Sequence, residues 1–425
     1  MQRRIPLASA LTFALLACLP AACQRQNDTG PAAAAPPPAA APAPAPAASV
    51  KAATTDLEQL ADRVVHQSAG VKEGEVVLIT GQSGDGELLE DLAVNVRKAG
   101  AFPIVLYDTD RLEKRLFFDV PAQYDNQTDK ATLGLMGMAD AVINVANNPT
   151  ENLFEGADPA RTAARAKANE AIGQAALERG VRTIELGNNL YPTAWRAERY
   201  GMDEDALSKL FWNAVNIDYG DVQARGDQVK AVLAAGDEVH VTNPNGTDLT
   251  LHIKGRPVLV SDGVLSEAER KAGGVAASVY LPAGEVYTTP VAGGAEGKVV
   301  QTRSYFRGKP IDNLTLTVSG GKVTSMTGSG AGWADYKAAY DAVADARKDV
   351  FGFLDLGINP GVKLPADSSM GNWVPAGAVT VGAGNNSWAG GDNTVPWGTA
   401  LFLPGSTVTL DGRTIVDKGV LVLKL

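Results

Sequence analysis

The spacing of apolar residues changes near residue 235, and this change limits the fold more than any other feature of the chain. Residues 52–235 alternate short apolar runs with longer amphipathic runs, whereas residues 236–425 alternate apolar and polar positions between frequent glycine turns. The first pattern is typical of a parallel sheet covered by helices, and the second of strands with one buried face. The sequence therefore predicts an α/β N-terminal domain with a mainly parallel sheet, followed by a β-rich α+β C-terminal domain.

Single elements of the first domain have clear limits in the sequence. Asp158 precedes Pro159, and Gly180 follows the amphipathic run, which is the order of an N-cap, a first-turn proline and a terminating glycine. These residues predict a helix that begins at Pro159 and ends before Gly180. Apolar runs predict the surrounding strands, at residues 75–80, 103–107, 141–145 and 181–186.

The start of the chain is typical of an export signal. Two arginines, an apolar run over residues 5–19 and a few small residues precede Cys23. Cys23 is the expected lipid-attachment residue because a polar segment follows it at once, and the open alternatives are Cys18 or cleavage near Ala22 without a lipid. The sequence predicts a lipid-anchored protein of the bacterial cell envelope on the periplasmic side, with residues 1–23 as its signal.

Residues 24–51 are predicted to tether the exported part to the membrane. Alanine and proline make up almost all of residues 31–49, a composition that buries no core and favours extended polyproline II structure. The remaining chain is long enough for two cores, which we assign to residues 52–235 and 236–425.

Charge and residue types disfavour several functions. The net charge is −10, so nucleic acids and anionic lipid headgroups are poor partners, and membrane contact is expected only through the lipid anchor. Because Cys18 and Cys23 are the only cysteines, the exported part has neither a disulfide nor a cysteine nucleophile. The three histidines are not accompanied by a Gly-x-Ser-x-Gly motif, which disfavours a serine hydrolase.

Five short segments in the second half carry a resemblance to a known family. They are Asn245-Gly-Thr-Asp248, Leu281-Pro-Ala-Gly-Glu-Val-Tyr-Thr-Thr-Pro290, Leu356-Gly-Ile-Asn-Pro360, Gly384-Asn-Asn-Ser-Trp-Ala-Gly-Gly391 and Leu410-Asp-Gly412. Over about residues 52–425 the chain resembles the aminopeptidase T and aminopeptidase S family, the thermophilic-type metallo-aminopeptidases. The resemblance implies that two divalent metal ions in the second domain act on the N-terminal residue of a peptide, and it leaves a homodimer open.

The resemblance also implies which residues hold the metals. Glu285 is then the first metal carboxylate, and Asp355 stands where the family has a second glutamate, so these two are the predicted catalytic and metal-binding residues. Only two of six expected positions are usable as ligands, because the others lack imidazole or carboxylate groups. Those other positions fall on Thr380, near Ser387, and on Pro396 and Gly398.

Two carboxylates without imidazoles favour Mg, Ca or Mn over zinc. If the protein is active, the resemblance implies Zn, Co, Mn or Mg, and if it is inactive the protein needs no metal. Asp392 and Glu296 are read either as further ligands or as solvated turn residues. His240 and His252, on the predicted strands that flank the Pro244-Asn-Gly246 turn, are read either as a metal pair or as a solvated face.

Three functions follow from this pattern. The first is a non-catalytic relative with a degenerate metal site that binds peptides or an envelope partner. The second is an active metal-dependent aminopeptidase with a rebuilt site, and the third is a structural envelope lipoprotein. Trp373, Trp388 and Trp397 discriminate between them, because rings around a polar floor indicate ligand binding and a cleft filled by rings indicates a scaffold.

Overall fold

The structure is a computed structural model that describes residues 55–395 and 397–423. The predicted export signal, the whole predicted tether, both cysteines and Pro396 lie outside the described residues. Among the residues described, no helix has both the length and the apolar composition needed to cross a membrane.

The α-helices of the described part are α1 Leu57–Arg63, α2 Gly86–Lys98, α3 Asp110–Phe118, α4 Lys130–Met138, α5 Pro159–Arg179, α6 Ala194–Tyr200, α7 Glu204–Val215, α8 Tyr219–Ala235, α9 Glu267–Ala272 and α10 Trp333–Ala342. The strands are β1 Val76–Gln82, β2 Phe102–Asp108, β3 Ala141–Val145, β4 Arg182–Leu186, β5 Glu238–Asn243, β6 Thr247–His252, β7 Val258–Ser261, β8 Ser278–Leu281, β9 Glu285–Thr288, β10 Ala295–Phe306, β11 Lys309–Ser319, β12 Lys322–Ser329, β13 Phe351–Gly357, β14 Val379–Gly384, β15 Gly398–Phe402, β16 Thr407–Leu410, β17 Arg413–Asp417 and β18 Val420–Leu421.

The first half forms the predicted α/β layer. Its four strands and β8 from the second half form a five-stranded sheet in the order β2-β1-β3-β4-β8, in which every neighbouring pair is parallel. Helix α5 has the predicted ends, because the Asp158 side chain accepts a hydrogen bond from the Ala160 amide and Gly180 adopts a left-handed conformation. The predicted parallel sheet and this helix are therefore confirmed.

The second half is antiparallel and β-rich, which confirms the predicted fold class. An eight-stranded sheet has the order β12-β11-β10-β6-β5-β16-β17-β18, and a five-stranded sheet has the order β15-β14-β13-β9-β7. The predicted hairpin of β5 and β6 turns at residues 244–246, and its register pairs His240 with Thr250. Strand β8 belongs to the parallel sheet although it lies beyond residue 235, so the domain limits remain a prediction.

The chain passes from the parallel sheet to the five-stranded sheet within three residues. Strand β8 ends at Leu281 and β9 begins at Glu285, so Gly284 immediately precedes the first predicted metal residue. The Gly284 amide donates to the Ser261 carbonyl over 2.9 Å, and its own carbonyl accepts from Ile358 over 2.8 Å. With a φ of +133°, Gly284 has a backbone conformation that residues with a Cβ rarely adopt.

Replacing Gly284 with alanine is predicted to destabilise the protein by about 3 kcal/mol, because an unfavourable φ and a steric clash act together. A Cβ at this position would lie 2.6 Å from the Asn359 Cβ and 2.9 Å from the Asn359 amide nitrogen. Unfolding in denaturant measures this loss of stability as a lower free energy of unfolding.

The matched control is Gly255→Ala. Gly255 also has a positive φ, of +73°, but a Cβ added there would have no neighbouring atom within 4 Å, so a loss of only about 1 kcal/mol is expected. Equal losses in the two variants would contradict the close packing around Gly284.

Candidate functional site

Four polar side chains form a row across the five-stranded sheet. Ser261 pairs with Glu285 between β7 and β9, and Asp355 pairs with Thr380 between β13 and β14. Tyr287, two residues after Glu285, pairs with Asp355. Because paired residues project from the same face and the side-chain period of a strand is two, all four side chains share one face. We call Ser261, Glu285, Asp355 and Thr380 the polar row.

The polar row is buried, and most of its oxygens have no partner. Asp355 is 0% exposed, Thr380 1%, and Ser261 and Glu285 are each 6% exposed. Both carboxylate oxygens of Asp355 and the hydroxyl oxygens of Thr380 and Ser261 lack a hydrogen bond. Buried polar groups are nearly always paired in folded proteins, so a concentration of unpaired oxygens in one place marks this face as unusual.

Glu285 differs from its neighbours because a loop of the parallel sheet holds it. The Asn188 side-chain amide donates to Glu285 over 2.7 Å and to the Pro282 carbonyl over 3.0 Å. Asn188 follows β4 with a φ of 41°, and its carbonyl accepts a hydrogen bond from the side chain of Asn372. The sequence reasoning missed Asn188, although an Asn-Asn pair directly after a parallel strand is a usable signal, since ligands bind at the carboxyl ends of such strands.

The two carboxylates of the polar row resist ionisation. Burial raises the pKa of Glu285 to about 7; the hydrogen bond from Asn188 opposes this rise, and the charge of Glu185 adds to it. Burial, followed by the charge of Glu285, raises the pKa of Asp355 well above its ordinary range. An apolar setting disfavours the charged form of a carboxyl group, and burial is the first cause of both shifts.

Aromatic rings cover the same face of the sheet. Phe353 lies two residues before Asp355, and its ring is 4.8 Å from Trp388 and 5.8 Å from Trp373, measured between centroids. Tyr287 packs against Trp388 at 5.3 Å. We call Tyr287, Phe353, Trp373 and Trp388 the aromatic cluster.

The aromatic cluster leaves Asp355 with no exposed surface, so the rings fill the space over this part of the polar floor. Trp373 and Trp388 themselves remain partly exposed. Trp397, the third tryptophan considered, packs elsewhere, against Tyr336 and Tyr340 at 5.5 and 5.6 Å. The tryptophans therefore belong to two separate groups.

The remaining predicted positions add no ligand to the polar row. The Ser387 hydroxyl donates to the side chain of Asn385, Gly398 is exposed at the start of β15, and Pro396 is outside the described residues. Asp392 is exposed, and Glu296 lies on β10 in the other antiparallel sheet, where it accepts a hydrogen bond from Gly320.

The three histidines also lie away from the polar row. His240 contacts Asp248 over 2.8 Å, and His252 contacts Asp237 over 3.5 Å, so the two bind separate carboxylates on the eight-stranded sheet. His66 lies near α1, 3.5 Å from Asp62.

A centre of two metals with imidazole ligands does not fit these residues. Within residues 55–395 and 397–423, no group of three or more His, Cys, Asp or Glu side chains is arranged to hold a metal ion. The polar row offers two carboxylates and two hydroxyls, which are oxygen donors only. The assignment of Glu285 and Asp355 as metal and catalytic residues stays a prediction.

Comparison with protein families identifies the chain. The family model described as thermophilic metalloprotease (M29) matches residues 53–332. The chain belongs to the M29 family. The match includes Glu285 and ends before Asp355 and Thr380.

Two solved structures show the same fold. Wild-type AmpT from Thermus thermophilus matches with a TM-score of 0.65 and 16% identity, covering 86% of this chain and 99% of its own. The 2,5-dihydroxypridine dioxygenase from Pseudomonas putida KT2440 matches with a TM-score of 0.54 and 16% identity, covering 87% and 97%. No curated protein sequence matches this M29 member. Because a peptidase family and a dioxygenase share the fold, function has to be argued from the site.

The raised pKa of Glu285 predicts that stability falls as pH rises from about 4.3, the ordinary glutamate value, towards 7. In this window the folded protein binds more protons than the unfolded chain, so the free energy of unfolding decreases, by at most about 1.4 kcal/mol per pH unit for each such group. Thermal unfolding between pH 5 and pH 8, in the presence of a chelator, measures how the stability changes with pH.

Glu285→Gln is expected to flatten this dependence, because the amide cannot ionise. Asp392→Asn removes an exposed carboxylate and is the matched control, with a slope like that of the wild type. A wild-type slope in Glu285→Gln would show that Glu285 does not titrate in this window.

Proposed function

We propose that the protein is an exported, lipid-anchored and non-catalytic member of the M29 family that binds the N-terminal end of a peptide. The observation that carries the proposal is the composition of the polar row. The polar row keeps Glu285 and Asp355, but Thr380 stands where the resemblance implies an imidazole ligand. The expected ligand positions at Ser387 and Gly398 add no ligand to it.

The loss of catalysis follows from what two-metal hydrolysis requires. Each metal needs several ligands to hold it and to activate water, and removing ligands abolishes that chemistry. Asp355 is also fully buried under the aromatic cluster, so its carboxylate does not reach a substrate. An active aminopeptidase with a rebuilt site would need ligands that the polar row does not offer.

Retained binding is supported by the neighbours of Glu285. This carboxylate keeps a small exposed surface and is held in place by Asn188, and an oriented carboxylate attracts the ammonium group of a peptide. Trp373 and Trp388 are partly exposed, and aromatic rings provide large apolar contact area together with attraction for cations. The rings that fill the space over Asp355 favour the third function, a structural envelope lipoprotein, so the support for binding comes from Glu285 and from the exposed parts of Trp373 and Trp388.

The purified protein is predicted to bind short peptides with a free amino group without cleaving them. Tryptophan fluorescence measures binding, and mass spectrometry of the same mixtures, supplied in turn with Zn, Co, Mn or Mg, measures cleavage. N-acetylated peptides are expected to bind at least about tenfold more weakly, because they lack the charge that Glu285 attracts.

Glu285→Gln is expected to weaken binding of the free peptides to the level of the acetylated ones, whereas Glu296→Gln, on the other antiparallel sheet, keeps wild-type affinity. Hydrolysis that disappears in Glu285→Gln would overturn the non-catalytic assignment. Equal affinity for free and acetylated peptides would overturn the recognition of an amino group.

The lipid anchor is predicted to be attached at Cys23, because a polar segment follows that residue directly. Labelling of cells with a tagged fatty acid should mark the wild-type protein and the Cys18→Ser variant but not Cys23→Ser. Label retained in Cys23→Ser and lost in Cys18→Ser would move the attachment site to Cys18.

A further inference from the structure

Arg196, on helix α6, is a buried cation whose hydrogen-bond acceptors are all uncharged. Its side chain is 3% exposed. Nη1 donates to the carbonyls of Asn147 and Tyr191 over 2.6 and 3.2 Å and to the hydroxyl of Thr193 over 3.4 Å, and Nε donates to the side-chain oxygen of Asn189 over 3.4 Å. Nη2 has no acceptor within the described part of the chain. Because a buried charge is normally paired with an opposite charge, the free Nη2 indicates a place for an anion.

The charges around Arg196 do not replace such a partner. Burial lowers the pKa of Arg196 to about 10, and the side chains of Tyr200 and Glu185 act in the opposite direction. The guanidinium therefore stays protonated at neutral pH. Glu185 acts on it without accepting a hydrogen bond from it, so the positive charge is only partly compensated.

The guanidinium lies at the carboxyl edge of the parallel sheet. Asn147 belongs to the loop after β3 and Tyr191 to the loop after β4, so Arg196 joins the two loops. The Trp195 ring packs against the guanidinium, with its centroid 4.4 Å from the central carbon. Stacking of this kind fixes the plane of an arginine side chain. Ligands of open α/β sheets bind at this edge of the sheet.

Two adjacent asparagines connect Arg196 with Glu285. Asn189 accepts the hydrogen bond from Nε of Arg196, and Asn188 donates to Glu285 over 2.7 Å. Neighbouring Cα atoms are only about 3.8 Å apart, and an extended peptide spans at most about 3.3–3.6 Å per residue. A carboxylate that attracts an ammonium group and a guanidinium that attracts an anion are therefore separated by about the length of a short peptide.

We propose that Arg196 binds the C-terminal carboxylate of the peptide whose amino group Glu285 attracts, so that the preferred ligands are peptides of two or three residues with both ends free. The inference rests on the proposed function, because Glu285 has to hold the amino group. Nη2 donates a charge-assisted hydrogen bond to the carboxylate, which neutralises the buried cation. Longer peptides keep the contact with Glu285, but their carboxylate lies beyond Arg196.

Calorimetric titration of the purified full chain, with a chelator present, compares trialanine with its C-terminal amide. The wild type is expected to bind the amide at least about tenfold more weakly, because one charge-assisted hydrogen bond is lost. An eight-residue peptide of alanine and serine and its amide are expected to bind equally, since that peptide spans about 25 Å when extended.

Arg196→Met is expected to abolish the preference for the free carboxylate, and Arg196→Lys to reduce it to less than about threefold, because lysine lacks the planar fork that reaches both loops and a ligand. Arg199→Lys is the matched control and keeps the preference, since Arg199 lies one turn further along α6 and pairs with Glu151 over 2.9 Å. Should Arg196→Met fail to fold, Arg196→Lys and the two wild-type comparisons still test the site.

Equal affinity of the wild type for trialanine and its amide, or a wild-type preference in both Arg196 variants, would overturn the inference. The proposed function then stands as long as N-acetyl-trialanine binds more weakly than trialanine. Equal affinity for trialanine and N-acetyl-trialanine would instead overturn the proposed function. Absence of binding by every peptide would overturn both.

Discussion

The burial of Asp355 is the constraint on which the rest of the site depends. This carboxyl group stands on β13, a strand whose seven residues are all buried, and neither of its oxygens has a hydrogen-bond partner. A lone charge in such surroundings is very unfavourable, so burial raises the pKa of the Asp355 carboxyl well above its ordinary range. The aromatic cluster packs on the same face of the sheet and contributes to this burial. The packing of the rings and the chemistry of the carboxyl group are thus coupled.

Glu285 shows how the two sheets meet at this point. The three residues before it carry the chain from the parallel sheet to the five-stranded sheet, and Asn188, in the loop after β4, donates to its carboxylate. Gly284 allows the close approach to Asn359, whose own side chain donates to the Ala283 carbonyl. Because hydrogen bonds from both sheets fix this short segment, the carboxylate keeps its position without depending on a metal.

The comparisons establish the family and the fold, whereas the chemistry has to be inferred from the residues of the site. AmpT and a dioxygenase share this architecture, each at 16% identity to the chain, so the architecture by itself does not select a reaction. The polar row differs from an imidazole-bearing metal centre in the nature of its donors.

The sequence by itself determined the fold class, the ends of helix α5, the β5–β6 hairpin and the absence of histidines after His252, because these depend on local periodicity, turn residues and composition. The family resemblance placed Glu285 and Asp355 among the site residues. Only the tertiary structure put Ser261 and Thr380 beside them, brought Asn188 to Glu285 and laid the aromatic cluster over Asp355. Those contacts join residues far apart in the chain, and strand register and packing between sheets decide them, which no local pattern encodes.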